Sequence, residues 1–376
     1  MTVNTAPISA GEALAILRAA HQAQAAGTLT AAWMLHGRPG IGKSDIVAQL
    51  AAETGAQLFD LRLTTIEPQD LRGLPFYDHA TRRTVWYRPE DLPSELDGDP
   101  TRPAILFLDE LTAAAPTLQP TVYGLLQERR VGRHQLPASC FLVAAGNGTD
   151  DGAIAYEMGT ALADRLIHLH LKAEATDWLT RYAVPRALHP AVITFIRTRP
   201  DLLETSEDAL RRGLTIACTP RSWVRVSDIL QAIPDPRLRA PMIAGTIGDA
   251  AAAEFLLVVE EIAATVQVAD LLDAPRAKRP DLYPQTMTGL TALTYALIGT
   301  ADAATMPKVI EVMADLRHLP RLRPDAPFAR LPLAELCTHG FELLIQKALT
   351  HGLTEAFRTS PAYAEYRAER QAQGLE

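Results

Sequence analysis

Cysteine is scarce in this chain: 376 residues contain only three, Cys140, Cys218 and Cys337. They stand too far apart for a Cys-x-x-Cys site and form no even disulfide set, so a reducing compartment and plain core positions are expected. No uninterrupted apolar run of about 18 residues occurs. The opening "MTVNTAPISAGEALAIL" has no basic segment followed by an apolar one. Neither export nor membrane spanning is therefore expected, and the cytoplasm is the expected location. Positive charge is also in short supply, with 36 Lys and Arg against 44 Asp and Glu and a formal net charge of −8. That balance disfavours broad, charge-driven nucleic-acid binding and leaves room only for a local basic groove.

What is present is an ordinary globular composition, 48% hydrophobic and 21% charged, enough to bury a sizeable core. The length suggests two or three domains. One stretch, "MLHGRPGIGKSDIVAQL" at residues 34–50, satisfies G-x-x-x-x-G-K-[ST] through Gly37, Gly42, Lys43 and Ser44. Such a match counts when a strand precedes it and a helix follows. The apolar "AAWML" (31–35) precedes it, and Ile46, Val47, Leu50 and Ala51 recur behind it at helical spacing. Glycines let backbone N–H groups close on an anion, the helix N-terminus adds partial positive charge, and Lys43 adds a full one. Gly37, Arg38, Pro39, Gly40, Ile41, Gly42, Lys43, Ser44 and Asp45 are the expected binding loop for ATP, with the Ser44 hydroxyl left for Mg²⁺.

Apolar strand-like runs alternate with helical stretches, the pattern of a parallel α/β sheet. After 31–36 the candidates are 57–63, 104–111, 140–147 and 165–171, giving a five-stranded P-loop NTPase sheet. Two aromatic-rich pieces around "DHATRR" predict an inserted hairpin between the second and third strands, and "RRVGRHQLP" (129–137) a shorter one. Beyond residue 172 helices dominate, among them 189–198, 221–232 and 249–264. The expected division is a nucleotide-binding core at 1–172, a helical lid at 173–263 and a helical extension at 264–376, the last broken by prolines.

"ILFLDEL" ends an apolar strand in two acids. Asp109 is expected to hold Mg²⁺, and Glu110 to orient or deprotonate an attacking water. Adjacent acids on a strand point to opposite faces, which separates the two tasks. Asn147 closes "CFLVAAGN", where ligands bind in open parallel sheets, although a turn asparagine would look the same. Arg165 opens the fifth strand, either as a surface cation or as a group reaching a neighbouring subunit's nucleotide. Arg221 stands at a helix start after Pro220, as a site residue or a solvated helix arginine.

The order P-loop, "FLDEL", "AAGN", "ADRL" and "TPRSW", with two hairpin inserts, resembles the MoxR branch of the AAA+ ATPases over roughly residues 10 to 262. The resemblance implies sensor 1 at Asn147, an arginine finger acting in trans at Arg165 and sensor 2 at Arg221. Family members usually carry phenylalanine after the finger, where this chain has Leu166. The resemblance further implies a homo-oligomeric, hexameric ring that remodels clients in a chaperone-like way with a von Willebrand factor A domain protein. A slow nucleotide-dependent switch or scaffold in a signalling or defence assembly is the alternative.

Other residues read more plainly. His168 and His170 share a strand face, which permits a metal site, but no Cys or third His is nearby. Arg129, Arg130 and Arg133 are expected on a solvated hairpin face. Trp86 and Tyr87 are expected to pack the inserted hairpin.

Overall fold

The structure, a computed structural model, describes residues 4–94, 103–148, 151–152, 156, 158–324 and 327–372. The chain divides into two compact units. One comprises Met1–Glu174, Ser206–Thr215 and Thr219–Arg221, and the other Ala175–Thr205, Ile216–Cys218 and Ser222–Glu376.

The first unit contains strands β1 (Ala32–His36), β2 (Gln57–Arg62), β3 (Leu74–Asp78), β4 (Arg83–Tyr87), β5 (Ala104–Asp109), β6 (Arg130–Val131), β7 (His134–Gln135), β8 (Phe141–Gly146) and β9 (Leu166–His170). Five of them form one parallel sheet in the order β2-β5-β8-β1-β9. Strands buried on both faces are apolar along most of their length, and β5 and β8 are buried throughout, with Asp109 at the end of β5 the charged exception. Their alternate side chains feed two cores. Leu106 and Leu108 join Met34, Leu142 and Ala144 on one face, while Ile105 and Phe107 join Trp33, Leu35 and Val143 on the other.

Helices cover both faces. On the second face lie α1 (Ala10–Ala25), through Ala13, Leu14 and Leu17, and α2 (Lys43–Thr54), through Ile46, Val47, Leu50 and Ala51. These four α2 positions are the ones picked out by their periodicity. Helix α1 starts in a capping box, in which Ser9 Oγ accepts from Glu12 N–H at 3.2 Å and Glu12 Oε2 accepts from Ser9 N–H at 2.7 Å. On the first face, α3 (Pro68–Arg72) buries Leu71, and α4 (Gln119–Glu128) buries Val122, Leu125 and Leu126.

Both hairpins form, β3 with β4 and β6 with β7. Their side chains correct two expectations. Trp86 is half-buried with the Arg72 guanidinium 5.3 Å from its ring centre, but Tyr87 is 61% exposed, beside exposed Phe76 and Leu74. A two-stranded ribbon has too little surface to bury both of its faces. Arg129 is not a solvated cation either. It adopts φ 53° and donates to the carbonyls of Pro137 at 3.1 Å and of Cys140, clamping the hairpin.

The second unit is helical among its described residues. Phe195, Trp223 and Phe255 from helices 190–198, 220–232 and 249–265 meet with ring centres 5.3 to 5.4 Å apart. Helix Met287–Thr300 is buried along most of its length, including Leu290, Leu293, Leu297 and Ile298. Asp315, buried at the end of helix Met306–Asp315, pairs with Arg276 at 2.8 Å and with buried Arg279 at 3.9 Å. All three cysteines are free and buried. No described helix is long and apolar enough to cross a membrane.

Candidate nucleotide site

The site lies where β1, β5 and β8 end. The loop leaving β1 turns through Gly40 at φ +82° and Gly42 at φ +101°, both in the left-handed region. A Cβ on Gly40 would stand 3.0 Å from Thr219 Oγ1, whereas the space at Gly42 is open. Gly42 caps α2 and has no side chain with which to cap it, so the start of that helix lies beside the opening. Ile41 turns into the core, while Pro39 and Asp45 are exposed.

Lys43, the first residue of α2, is buried. Its ammonium uses three donors: to the carbonyls of Gly37 at 2.5 Å and Arg38 at 3.0 Å, and to Asn147 Oδ1 at 2.9 Å. Burial lowers its pKa to about 8, with Asp109 and Asp151 opposing and Arg221 assisting the shift. Asp109 is buried too. Its Oδ2 accepts from Ser44 Oγ at 3.1 Å and its Oδ1 from the Glu110 N–H at 2.9 Å.

Glu110 departs from the simple alternation expected of it. The strand ends at Asp109, and Glu110 takes a left-handed backbone at φ 59°. A non-glycine residue held there is strained by roughly 1–3 kcal/mol, and such strain clusters at working sites. The turn, rather than the pleat, separates the two acids. It delivers the Glu110 carboxylate to the Thr64 hydroxyl and within 3.8 Å of Arg62 Nε.

Asn147 is held from behind by Thr112, whose Oγ1 accepts from the Asn147 N–H and donates to its carbonyl, each at 3.0 Å. Arg221 belongs to the nucleotide-binding unit, with its N–H donating to the Gly40 carbonyl at 3.2 Å. Arg165 is elsewhere. Because Leu166 pairs with Ala32 and His170 with His36, Arg165 lies at the end of β9 opposite the edge where the loop leaves β1. The structure thus brings Lys43, Ser44, Asp109, Glu110, Asn147 and Arg221 to one sheet edge and leaves Arg165 off it.

Several contributors carry no motif. Thr64, Thr112 and Asp151 support Glu110, Asn147 and the loop after β8, where Asp151 Oδ2 accepts from Gly148 N–H at 2.6 Å. Arg38 reaches Asp151 at 3.5 Å and Glu207 at 2.7 Å. Only proximity to the acids could have marked Thr112, and nothing in the sequence marks Glu207. His36 donates its Nε2 hydrogen to His168 Nδ1 at 2.7 Å, and His168 Nε2 reaches the Ala163 carbonyl at 2.8 Å. Both ring nitrogens of His168 are therefore engaged, against the metal option weighed for that face. Burial, then His168, pushes the His36 pKa down to about 4.

The donor set suits a nucleotide and its cation. A serine hydroxyl and a carboxylate 3.1 Å apart are hard oxygen ligands of the kind Mg²⁺ takes. Glycines with positive φ, a helix N-terminus and a buried ammonium suit phosphate oxygens.

The family match agrees with this geometry. Residues 32–166 match the family model "AAA domain (dynein-related subfamily)". Over 106 residues, 28% of this chain, the sequence is 34% identical to ATPase family gene 2 protein homolog B of Bos taurus, and the match spans 11% of that protein. A point mutant of Thermotoga maritima RuvB is similar at 16% identity and TM-score 0.38, over 81% of this chain and 88% of that one. The Thermotoga maritima RuvB Holliday junction branch migration motor is similar at 14% identity and TM-score 0.34, over 77% and 80%. The fold assignment rests on the observed strand order and P-loop instead. Residues 32–166 of this chain match an AAA domain, and the P-loop lies within them.

Proposed function

We propose that this chain is a MoxR-like AAA+ ATPase that hydrolyses ATP with Mg²⁺ in a homo-oligomeric, hexameric ring and remodels a partner bearing a von Willebrand factor A domain. The observation that carries the proposal is the set of hydrogen bonds joining Lys43 to Asn147 and Ser44 to Asp109, with Glu110 one residue beyond. A protein that only binds nucleotide needs no positioned base. Here Glu110 is turned out of its strand onto Thr64.

In this mechanism the loop N–H groups and Lys43 bind the phosphates, and Ser44 with Asp109 hold Mg²⁺, which neutralises phosphate charge. Glu110 orients a water and takes its proton as the water oxygen bonds to the γ-phosphorus and the bridging oxygen leaves with ADP. Asn147 fixes the position of the attacking side, and Arg221 senses the nucleotide beside Gly40. Arg165 acts on the neighbour's γ-phosphate, a task consistent with its distance from its own loop. Residues 1–172 supply the core, 173–263 the lid and 264–376 an extension, and the assembly works in the cytoplasm.

The test combines three measurements on the full chain: Mg²⁺-dependent ATP hydrolysis, particle mass with and without ATP, and capture of a von Willebrand factor A domain protein by the Glu110→Gln variant held with ATP. Ring formation with turnover and capture supports the proposal. Hydrolysis no faster than that of Lys43→Ala would replace it with the slow switch.

A further inference from the structure

The helical unit holds a cavity of about 400 Å³ that has no part in the nucleotide chemistry. Its walls are largely apolar, formed by Leu179, Val184, Ile196 and Leu343. Three polar side chains converge on it in series. Arg197 Nη1 donates to the Tyr295 hydroxyl at 2.8 Å, and that hydroxyl lies 3.2 Å from His339 Nε2. Burial, then Arg197, lowers the His339 pKa to about 4, so the ring is neutral near pH 7 and accepts the Tyr295 proton. Tyr295 is itself almost wholly buried.

The rim of this cavity carries a positive charge. Among the described residues none that lines it is acidic. Among the described residues Arg197 makes one hydrogen bond, to Tyr295, and no ion pair. A guanidinium has five N–H donors in a planar fork, so four remain, and the Tyr295 contact fixes the plane in which they point. Arg197 stands exposed at the last turn of helix Pro190–Thr198, at the rim of the cavity, where its spare donors are open to an incoming ligand. A fork with spare donors fits a carboxylate in two parallel hydrogen bonds. The chamber is within the volume range of small-molecule sites, where apolar walls hold the body of a ligand and a few polar groups fix its orientation.

We propose that this cavity binds a free organic carboxylate with an aromatic or branched hydrocarbon body, its carboxylate on Arg197 and its body against Leu179, Ile196 and Leu343. The site is independent of the nucleotide and would give the helical unit a ligand of its own.

The probe is 2-naphthoate, titrated into the full chain by calorimetry, with 2-naphthylmethanol as its uncharged counterpart. Saturable binding with a Kd on the order of 1 mM or tighter is expected from the size of the probe. Arg197→Gln should weaken it at least tenfold, the loss expected of charge-assisted hydrogen bonds. Arg197→Lys, which keeps the charge without the fork, should fall between the two, and the alcohol should bind at least tenfold more weakly than the acid. Because the P-loop also attracts anions, the titration is repeated on Lys43→Ala, where unchanged binding is expected. The proposal is overturned by no saturation up to about 10 mM, by equal binding to Arg197→Gln and wild type in chains with matching circular dichroism, or by loss of binding in Lys43→Ala.

Discussion

Ser44 and Asp109 are 65 residues apart in sequence and joined by a 3.1 Å hydrogen bond from the serine hydroxyl to the carboxylate. One stands in the first turn of α2 and the other ends the neighbouring-but-one strand, so the pair depends on β8 lying between β1 and β5 in the sheet. Two hard oxygens so placed are a cation site in waiting. Asp109→Asn keeps the shape and removes the charge. We expect ATP to bind this variant equally with Mg²⁺ and with EDTA, whereas wild type should bind more tightly with Mg²⁺. A fluorescent-nucleotide titration in both buffers checks this, and a preserved Mg²⁺ effect in the variant would remove Asp109 from the cation site.

Lys43 sets a pH dependence. With a pKa of about 8 in the folded chain, it carries its charge at pH 7.5 and has largely lost it at pH 9.5. ATP affinity should fall by roughly 10- to 30-fold between those values. The stability of the nucleotide-free chain should run the other way. The unfolded chain keeps the ordinary lysine value of 10.5, so between about 8 and 10.5 the unfolded chain holds the extra proton, and this group's contribution to stability rises with pH. Below 8 the burial of a charged ammonium costs in full. Lys43→Met should therefore lose ATP binding, flatten both trends and raise the melting temperature at pH 7. Wild-type nucleotide affinity in Lys43→Met would sink the P-loop assignment.

Glu110 separates binding from chemistry. Glu110→Gln should retain ATP and slow hydrolysis by roughly 10²- to 10⁴-fold, the effect of losing a general base. Thr64→Val, which removes the hydroxyl donated to that carboxylate, should lower kcat with little change in KM, because it loosens the base without touching the phosphate loop. Steady-state kinetics on the two variants decides. Wild-type turnover in Glu110→Gln would leave the αL turn at Glu110 without a catalytic purpose.

The helical unit offers a stability test free of nucleotide. Asp315 is buried between Arg276 and Arg279, and Asp315→Ala leaves the buried Arg279 with the half-exposed Glu311 at 3.0 Å and the Ala274 carbonyl at 3.2 Å. A loss of about 3 kcal/mol in denaturant unfolding is expected for a buried pair broken on one side. A change under about 0.5 kcal/mol would mean that Glu311 and the Ala274 carbonyl suffice for Arg279.

Much of the nucleotide unit was legible because its signals are local. The five strands are apolar runs bounded by turns, and β5 and β8 read clearly because both their faces are buried. The P-loop needs glycine at Gly40 and Gly42 for backbone reasons that any sequence must obey. What stayed hidden depends on tertiary placement. The left-handed Glu110 follows from a turn that no residue type there announces. The Arg38–Glu207 pair joins positions 169 apart. His36 and His168 meet because β9 pairs with β1, and neither residue carries a motif. Tyr87 misled for the opposite reason: aromatic content predicts burial only where a partner surface exists, and on its ribbon none of the described residues supplies enough.

Arg165 tests whether the active site is shared between subunits. Leu166 is registered with Ala32, at the start of β1, while the phosphate loop leaves its end. Five residues of strand, roughly 16 Å at 3.3 Å each, separate the two levels, beyond what an arginine side chain bridges to its own γ-phosphate. If the guanidinium serves hydrolysis at all, it serves a neighbour. Arg165→Ala should bind ATP as wild type does and hydrolyse it poorly. Lys43→Ala should neither bind nor hydrolyse, yet keep its arginine. Mixed in one assembly, an intact loop from the first can meet an intact arginine from the second, so hydrolysis should rise above that of either variant alone. The measurement is the ATPase rate of the mixture against the mole fraction of each, with co-assembly verified by pull-down of differently tagged chains. A rate that stays at the sum of the parts in verified mixed assemblies assigns Arg165 to the surface, and the neighbour's contribution must then come from another cation.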